Sequence, residues 1–275
     1  MIIGNWKYIF KNLWFVLPFA LLPAAFFAFS FDYEALAVLM ESLTAGIPVV
    51  DFILLFRAWS IIRFDSWIGA VAGIGVYLSC AIFMTGMLSL VEKHMRIGKR
   101  TLNGAFSQLW HHLFSSLAIT LLFLFLYELW AVVLSALMYA IGSFVTGTAG
   151  LVLLSVVAFI ACTFVLLYCI STFYLWYPCV QLTGFGPYEA VRYSHQLVIN
   201  VRVKLVFTLF VSFLLLTAGL IAMVVLLSEI VFRVGLFVLF VFVFLSFCIR
   251  METLYFATDR LEREDLKHSY KGVRL

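Results

Sequence analysis

Residues Leu151 to Tyr177 read LVLLSVVAFIACTFVLLYCISTFYLWY, an apolar run without one charged side chain. A bilayer core about 30 Å thick is crossed by about 20 apolar residues in an α-helix. The run therefore predicts a membrane span. Five more stretches of this kind surround it: about Leu13 to Phe31, Ile68 to Leu90, Leu113 to an end between Val132 and Ala140, Leu205 to Leu227, and Val231 to Phe256. Pro18 and Pro23 lie in the first, where a kink is tolerated. The 275-residue chain is 65% hydrophobic and 12% charged, with 30 Phe and a mean hydropathy of +1.12. Soluble domains are about half apolar and a quarter charged. The composition excludes a soluble enzyme, a disordered chain and a nucleic-acid binder. It predicts an all-α polytopic membrane protein, with residues 1–275 as a single integral membrane domain.

The basic residues orient the spans. Lys7 and Lys11 precede the first. Lys93, Arg96, Lys99 and Arg100 lie between the second and third, and Arg192, Arg202 and Lys204 between the fourth and fifth. Arg250, Arg260, Arg263, Lys267, Lys271 and Arg274 belong to the C-terminal end. Only Arg57, Arg63 and Arg233 of the 18 Lys and Arg fall on the other side. The positive-inside rule then predicts a multi-pass protein of the cell (cytoplasmic) membrane with both termini in the cytoplasm. Six spans, an even number, agree with this.

Residues 32–67 form the one sizeable outer loop, and 257–275 a cytoplasmic tail. Asp32 to Leu43 has helical spacing with Asp32 as N-cap. Pro48 to Ile62 is apolar but interrupted by Asp51 and Arg57, which predicts an interfacial or re-entrant helix. Trp59 and Trp67 suit the headgroup layer, and Tyr174, Trp176 and Tyr177 an aromatic belt on the other side.

The approaches to spans one, three and five read NWKYIFKNLWFVLPFALL, NGAFSQLWHHLFSSLAITLL and YEAVRYSHQLVINVRVKLVF, with starts offset by about 100 and then about 85 residues. Cys80, Cys169 and Cys248 each stand twelve residues before a polar exit residue: Glu92, Gln181 and Arg260. The pattern suggests three copies of a two-span unit. Gly186-Pro187 opens a helix, because proline is favoured at the first helical position. This helix carries Val191, Val198 and Leu205 on one stripe, with Arg192, Gln196 and Asn200 away from it, as in a surface-lying amphipathic helix. The basic clusters Lys93, Arg96, Lys99, Arg100 and Arg192, Arg202, Lys204 are expected to meet anionic lipid headgroups or a protein partner. The five cysteines show no CxxC and no even framework, so they are expected as packing residues.

Three stretches resemble a known family. They are Gly184 to His195 (GFGPYEAVRYSH), Tyr255 to Asp265 (YFATDRLERED) and, more loosely, Val91 to Trp130. They are similar to the six-helix bacterial membrane domain found with glycerophosphodiester phosphodiesterases and to its stand-alone relatives in Gram-positive bacteria. The resemblance implies a fold and a compartment. It does not imply the phosphodiesterase activity, because the catalytic domain is not in this sequence.

Ionisable residues within spans are the default functional candidates. Glu128 lies about 15 residues, roughly 22 Å, past the inner end of span three. Arg233 begins span six at similar depth, so the two form a candidate intramembrane pair. The pair reads either as a gate or charged-substrate site, or as a structural contact that spares a buried charge. Arg250 is expected to snorkel to the headgroups, and Glu252 to meet Arg192 or Lys204. No HExxH, GxSxG, P-loop or GxGxxG motif occurs, and His111-His112 are adjacent and diverge on a helix. No cofactor, metal site or enzymatic activity is expected. The functional expectation is a non-enzymatic accessory or scaffold protein of cell-envelope or lipid homeostasis. The alternative is a small-molecule or lipid transporter or flippase with a cavity between the repeats.

Overall fold

The computed structural model describes residues 2–45, 51–100, 105–145, 147–226 and 228–265. Among them every regular element is a helix: α1 (Ile2–Lys11), α2 (Leu13–Val16), α3 (Pro18–Ser30), α4 (Tyr33–Ala45), α5 (Phe52–Trp59), α6 (Trp67–Ile97), α7 (Ala105–Phe144), α8 (Thr148–Phe173), α9 (Trp176–Thr183), α10 (Pro187–Ile199), α11 (Arg202–Leu226) and α12 (Glu229–Thr258). Five helical stretches are long and apolar enough to cross a membrane: α6, α7, α8 with α9, α11 and α12. The pair α3–α4, bent by 60°, brings the number to as many as six. The all-α polytopic fold is thus as expected.

Helix α3 and the five long elements close a ring. In chain order α3 packs on α6, α6 on α7, α7 on α8, α8 on α11, α11 on α12, and α12 back on α3, while α12 also meets α6. Two apolar cores share the ring along its length. One gathers Val16, Ala20, Met87, Val91, Leu205, Cys248 and Met251. The other gathers Phe31, Leu36, Trp59, Trp130, Leu134, Val224 and Phe232. Early residues of α3, α7 and α11 meet late residues of α6, α8 and α12, so successive helices run in alternate directions. The described basic clusters fall at the end of the first core, here called the basic end.

Three features differ from the sequence reading. The first span is not one helix from Leu13 to Phe31. Asn12, at φ −118° and ψ 18°, breaks the chain, Pro18 starts α3, and Phe31 is extended. At 13 residues, α3 is about 20 Å long, too short to cross a bilayer core alone. Asp32 then caps α4 as predicted, its Oδ1 accepting the Ala35 N–H at 3.2 Å. The fourth span is interrupted at Tyr174-Leu175, where Pro178 lacks the N–H that would reach the carbonyl of residue 174. Tyr174 and Tyr177, at and just after the interruption, lie in the interior at 0% and 1% exposure instead of in an aromatic belt. Trp59 is likewise buried against Trp130 and Phe159, whereas Trp67 is exposed. The predicted 48–62 helix is α5, capped by Asp51, whose carboxylate accepts from the N–H groups of Ile53 and Leu54. Its residues 48–50 lie outside the described residues, as do residues 101–104 of the third approach and 266–275 of the tail, with Lys267, Lys271 and Arg274.

Between α5 and α6 the chain lies non-helical against the α6 face that carries Gly69 and Gly73. A Cβ at Gly73 would come within 2.9 Å of the Ile61 carbonyl oxygen, and one at Gly69 within 2.6 Å of Arg63 Nε. This GxxxG spacing, familiar from close helix pairs, here admits an irregular segment. Gly73→Leu is expected to lower detergent-solubilised stability by about 1–3 kcal/mol through overpacking. Gly4→Ala, with nothing within 4 Å of the added Cβ, is expected to leave the melting temperature unchanged.

Candidate functional site

Two polar groupings lie within the apolar ring, one at each end. At the end opposite the basic clusters, Glu128 of α7 receives the segment that follows α5. The Ile61 and Ile62 N–H groups donate to its Oε1 at 2.9 and 3.1 Å, and the Ser60 hydroxyl lies 2.8 Å from its Oε2. Beside it the Tyr127 hydroxyl donates to the Trp59 carbonyl at 2.9 Å. One carboxylate therefore satisfies consecutive backbone donors that no helix supplies with partners. The same end is pinned by Asp32. Its Oδ2 accepts Arg57 Nη2 at 2.6 Å and Arg63 Nη1 at 3.0 Å, and Arg57 also meets Asp65 at 3.1 Å.

The expected Glu128–Arg233 pair is not formed. Arg233 binds Glu229 one turn earlier on its own helix at 2.6 Å and donates to the Ala28 carbonyl at 3.3 Å. The reason is local. An i,i+4 carboxylate lies within reach of Arg233, and the Glu128 oxygens are taken by residues 60–62. Nothing in the spacing of Glu128 pointed to backbone donors. The one available signal was the break in apolar character at Arg57 to Asp65, which marks a stretch unsuited to continue as a membrane span.

The second grouping lies in the basic half. Glu92 of α6 and Glu252 of α12 are 1% and 0% exposed, and neither carboxylate makes a hydrogen bond of good geometry. Arg96 Nε is 2.8 Å from Glu92 Oε1, forming an ion pair on a half-exposed guanidinium. Glu252 does not meet Arg192 or Lys204. It faces Glu92 instead, close enough for their charges to interact. Tyr177 is 1% exposed, and its hydroxyl points toward Thr85, whose own hydroxyl is committed to the Ala81 carbonyl at 2.7 Å. Nearer the end, Tyr8 Oη and His94 Nδ1 share a hydrogen bond of 2.8 Å. Burial, with the Asp265 carboxylate beside it, pushes the Tyr8 hydroxyl well above the usual phenol range, so it stays neutral. Arg250 does not snorkel. It is 3% exposed, donates to the Thr208 carbonyl at 3.2 Å and to Ser212 Oγ at 3.0 Å, and reaches Ser246 Oγ at 3.3 Å, thereby joining α11 to α12.

The predicted basic contacts divide. Lys99, Arg192 and Lys204 are exposed. Arg96 is held by Glu92, and Arg100 donates to Asn12 Oδ1 at 2.6 Å. Arg202 donates to the Tyr168 hydroxyl at 3.1 Å and stacks 5.3 Å over its ring. Lys93 is half-buried with a partner. Helix α10 begins at Pro187 as read and buries Ala190, Ser194 and Val198 while Arg192, Gln196 and Asn200 remain outside, but it ends at Ile199, so Leu205 belongs to α11 instead of its apolar stripe, and Val191 is only part-buried. Its Tyr193 hydroxyl donates to Asp259 Oδ1 at 2.6 Å, a bond that pushes the Tyr193 phenol up to about 12.

A separate cavity of about 330 Å³ opens between α3 and α6, lined by the apolar side chains of Phe26, Phe29, Trp67, Ile68, Val71 and Ala72. No family model, curated protein or solved structure matches the chain.

Two outcomes follow from these contacts. Glu128→Ala orphans two backbone N–H groups, while the Ser60 hydroxyl keeps the Ile62 carbonyl at 2.8 Å, and is expected to cost about 2–4 kcal/mol, whereas Arg233→Ala, with its exposed partner, costs about 0–1 kcal/mol. The double swap Glu128→Arg with Arg233→Glu restores nothing in a thermal melt. Tyr193 has a raised folded-state pKa, so its contribution is complete below the ordinary phenol value near 10 and is lost as pH rises toward about 12. Tyr193→Phe is expected to flatten that part of the stability–pH curve.

Proposed function

We propose that this chain is a non-enzymatic, multi-pass protein of the bacterial cytoplasmic membrane, an accessory or scaffold in cell-envelope or lipid homeostasis. It sits with both termini and the basic end in the cytoplasm. One observation carries the reading: exposed cations and exposed apolar side chains share that end. Lys99, Arg192 and Lys204 are exposed beside Phe10, Trp14, Tyr188 and Val203, all more than half exposed. Cations over an apolar surface suit an interface of anionic headgroups and acyl chains. The apolar cavity between α3 and α6 supports the same reading, since it offers room to a hydrocarbon chain. The similarity of Gly184 to His195 and Tyr255 to Asp265 to the phosphodiesterase-associated membrane domain agrees with a lipid-related setting. So does the reading of three two-span units, with Glu92 and Gln181 at matching exits.

The alternative of a transporter or flippase keeps one specific observation in its favour, the Glu92–Glu252 grouping inside the ring. Glu128, whose oxygens are occupied by residues 60–62, no longer supports it.

The test is lipid retention. In native mass spectrometry from mixed phosphatidylglycerol and phosphatidylcholine nanodiscs, the wild type is expected to retain the anionic lipid preferentially. The triple variant Lys99→Ala, Arg192→Ala, Lys204→Ala should lose that preference, since each surface cation is worth about 1 kcal/mol to an anionic leaflet. Equal retention of both lipids by the wild type would remove the headgroup reading.

A further inference from the structure

Glu252 is the most completely enclosed charge-bearing group of the described residues, at 0% exposure with both carboxylate oxygens lacking a hydrogen bond. Its surroundings come from four helices. Glu92 faces it from α6, Tyr8 from α1, Tyr177 and Cys179 from α9, and Cys248 from its own helix. Every one of these is an acid or a neutral hydroxyl or thiol. Arg250, two residues away, points to α11 and is engaged there. Two cations of α6 act on Glu92, Arg96 through its ion pair and Lys93 through its charge. Both cations lie on the Glu92 side, so the Glu252 carboxylate, with neither oxygen hydrogen-bonded, has no cation partner of its own among the described residues inside the apolar ring. An uncompensated buried carboxylate is too costly to persist, and it neutralises by taking up a cation. No group of three or more His, Cys, Asp or Glu capable of holding a metal is present among the described residues. The smallest cation, a proton, meets the need without further ligands.

A second observation points to the same place. The Tyr177 hydroxyl, 1% exposed, projects into the field of Glu252 and has no hydrogen-bond partner of good geometry. Beyond Glu252, toward the basic end, stands a short chain of exchangeable groups. Tyr8 lies within the field of Glu252 on one side and bonds His94 Nδ1 at 2.8 Å on the other. His94 and Tyr8 both sense Asp265 and Arg263, and the Arg263 guanidinium lies 5.9 Å over the Tyr8 ring. Residues Arg263 to Asp265 thus sit at the outlet of this chain.

We propose that Glu92 and Glu252 form a proton-binding site in the basic half of the ring, which holds one proton between two carboxylates and exchanges it with the basic end through Tyr8 and His94. Uptake forms one O–H bond on a carboxylate oxygen. Tyr8 Oη gives up its proton in that direction as it takes one from His94 Nδ1, and His94 is reprotonated from water at the basic end. Each relay step breaks one O–H or N–H bond as it forms another, Tyr8 and His94 end as they began, and the net change is one proton moved from water to the carboxylate pair. Intramembrane carboxylates linked to hydroxyl and imidazole groups are the usual parts of proton pathways. This site stands apart from the lipid-facing surface, and either can fail without the other.

The experiment uses the full chain in phosphatidylcholine nanodiscs, labelled with carbon-13 glutamate, observed by infrared difference spectroscopy near neutral pH. A protonated carboxyl band that moves with the label is expected in the wild type. Glu252→Gln should remove it. Should that variant fail to fold, Glu252→Asp, which retains an acid, should move the band out of the labelled set. Tyr8→Phe should leave the band in place but slow its deuterium shift in deuterium oxide by about tenfold or more. The absence of a labelled protonated band in the wild type would overturn the proposal, as would its loss when sodium replaces choline in the buffer, which would mark a sodium site instead. An unchanged exchange rate in Tyr8→Phe would overturn the route through Tyr8 and His94.

Discussion

Inside hydrocarbon a backbone N–H or C=O has no water to bond, so each must find a partner within the protein. This constraint dictates almost everything in the chain. It turns long apolar stretches into helices, because a helix satisfies its own backbone. It also makes any non-helical segment at the ring's end dependent on side chains from elsewhere. Residues 60–62 meet that requirement through Glu128, whose carboxylate takes two consecutive N–H groups and faces the Ser60 hydroxyl. The same segment needs Gly69 and Gly73 to lie flat on α6, and Asp32 to hold Arg57 and Arg63. Four helices thus contribute to one irregular connection, and that connection ties α5 to the ring.

The basic half obeys the same rule with a different outcome. Arg250 is buried like Glu252, at 3% exposure against 0%, yet it finds carbonyl and hydroxyl acceptors on α11 and on its own helix. Glu252 finds none. Two residues apart on one helix, they point to different faces, one toward a polar seam and the other toward a second acid. That contrast separates a charge used to join helices from a charge that calls for an exchangeable partner.

Much of the fold was legible in composition and spacing. The long apolar runs located the ring helices, Asp32 and Gly186-Pro187 located the starts of α4 and α10, and the asymmetry of Lys and Arg picked out one end. Pro178 carried the information for the break in the fourth span, since it removes a specific donor, but its consequence for Tyr174 and Tyr177 depended on which way the chain turned. The site was less legible. Glu128 and Arg233 were conspicuous as charges in apolar surroundings, but a one-dimensional pattern shows depth and not neighbours. The true partners of Glu128 are backbone groups, which carry no signature in sequence. Arg233 had Glu229 four residues before it, and the i,i+4 rule favoured that partner. Glu92 and Glu252 come together only through the packing of α6 on α12, elements far apart in the chain.

The most direct measurement of this account is amide hydrogen–deuterium exchange at Ile61 and Ile62 in lipid nanodiscs. If Glu128 holds the segment, both amides are protected in the wild type although neither lies in a helix, and protection at these two positions collapses in Glu128→Ala while that of the Phe52–Trp59 helix core survives. Fast exchange at Ile61 and Ile62 in the wild type, or protection unchanged by Glu128→Ala, would contradict it.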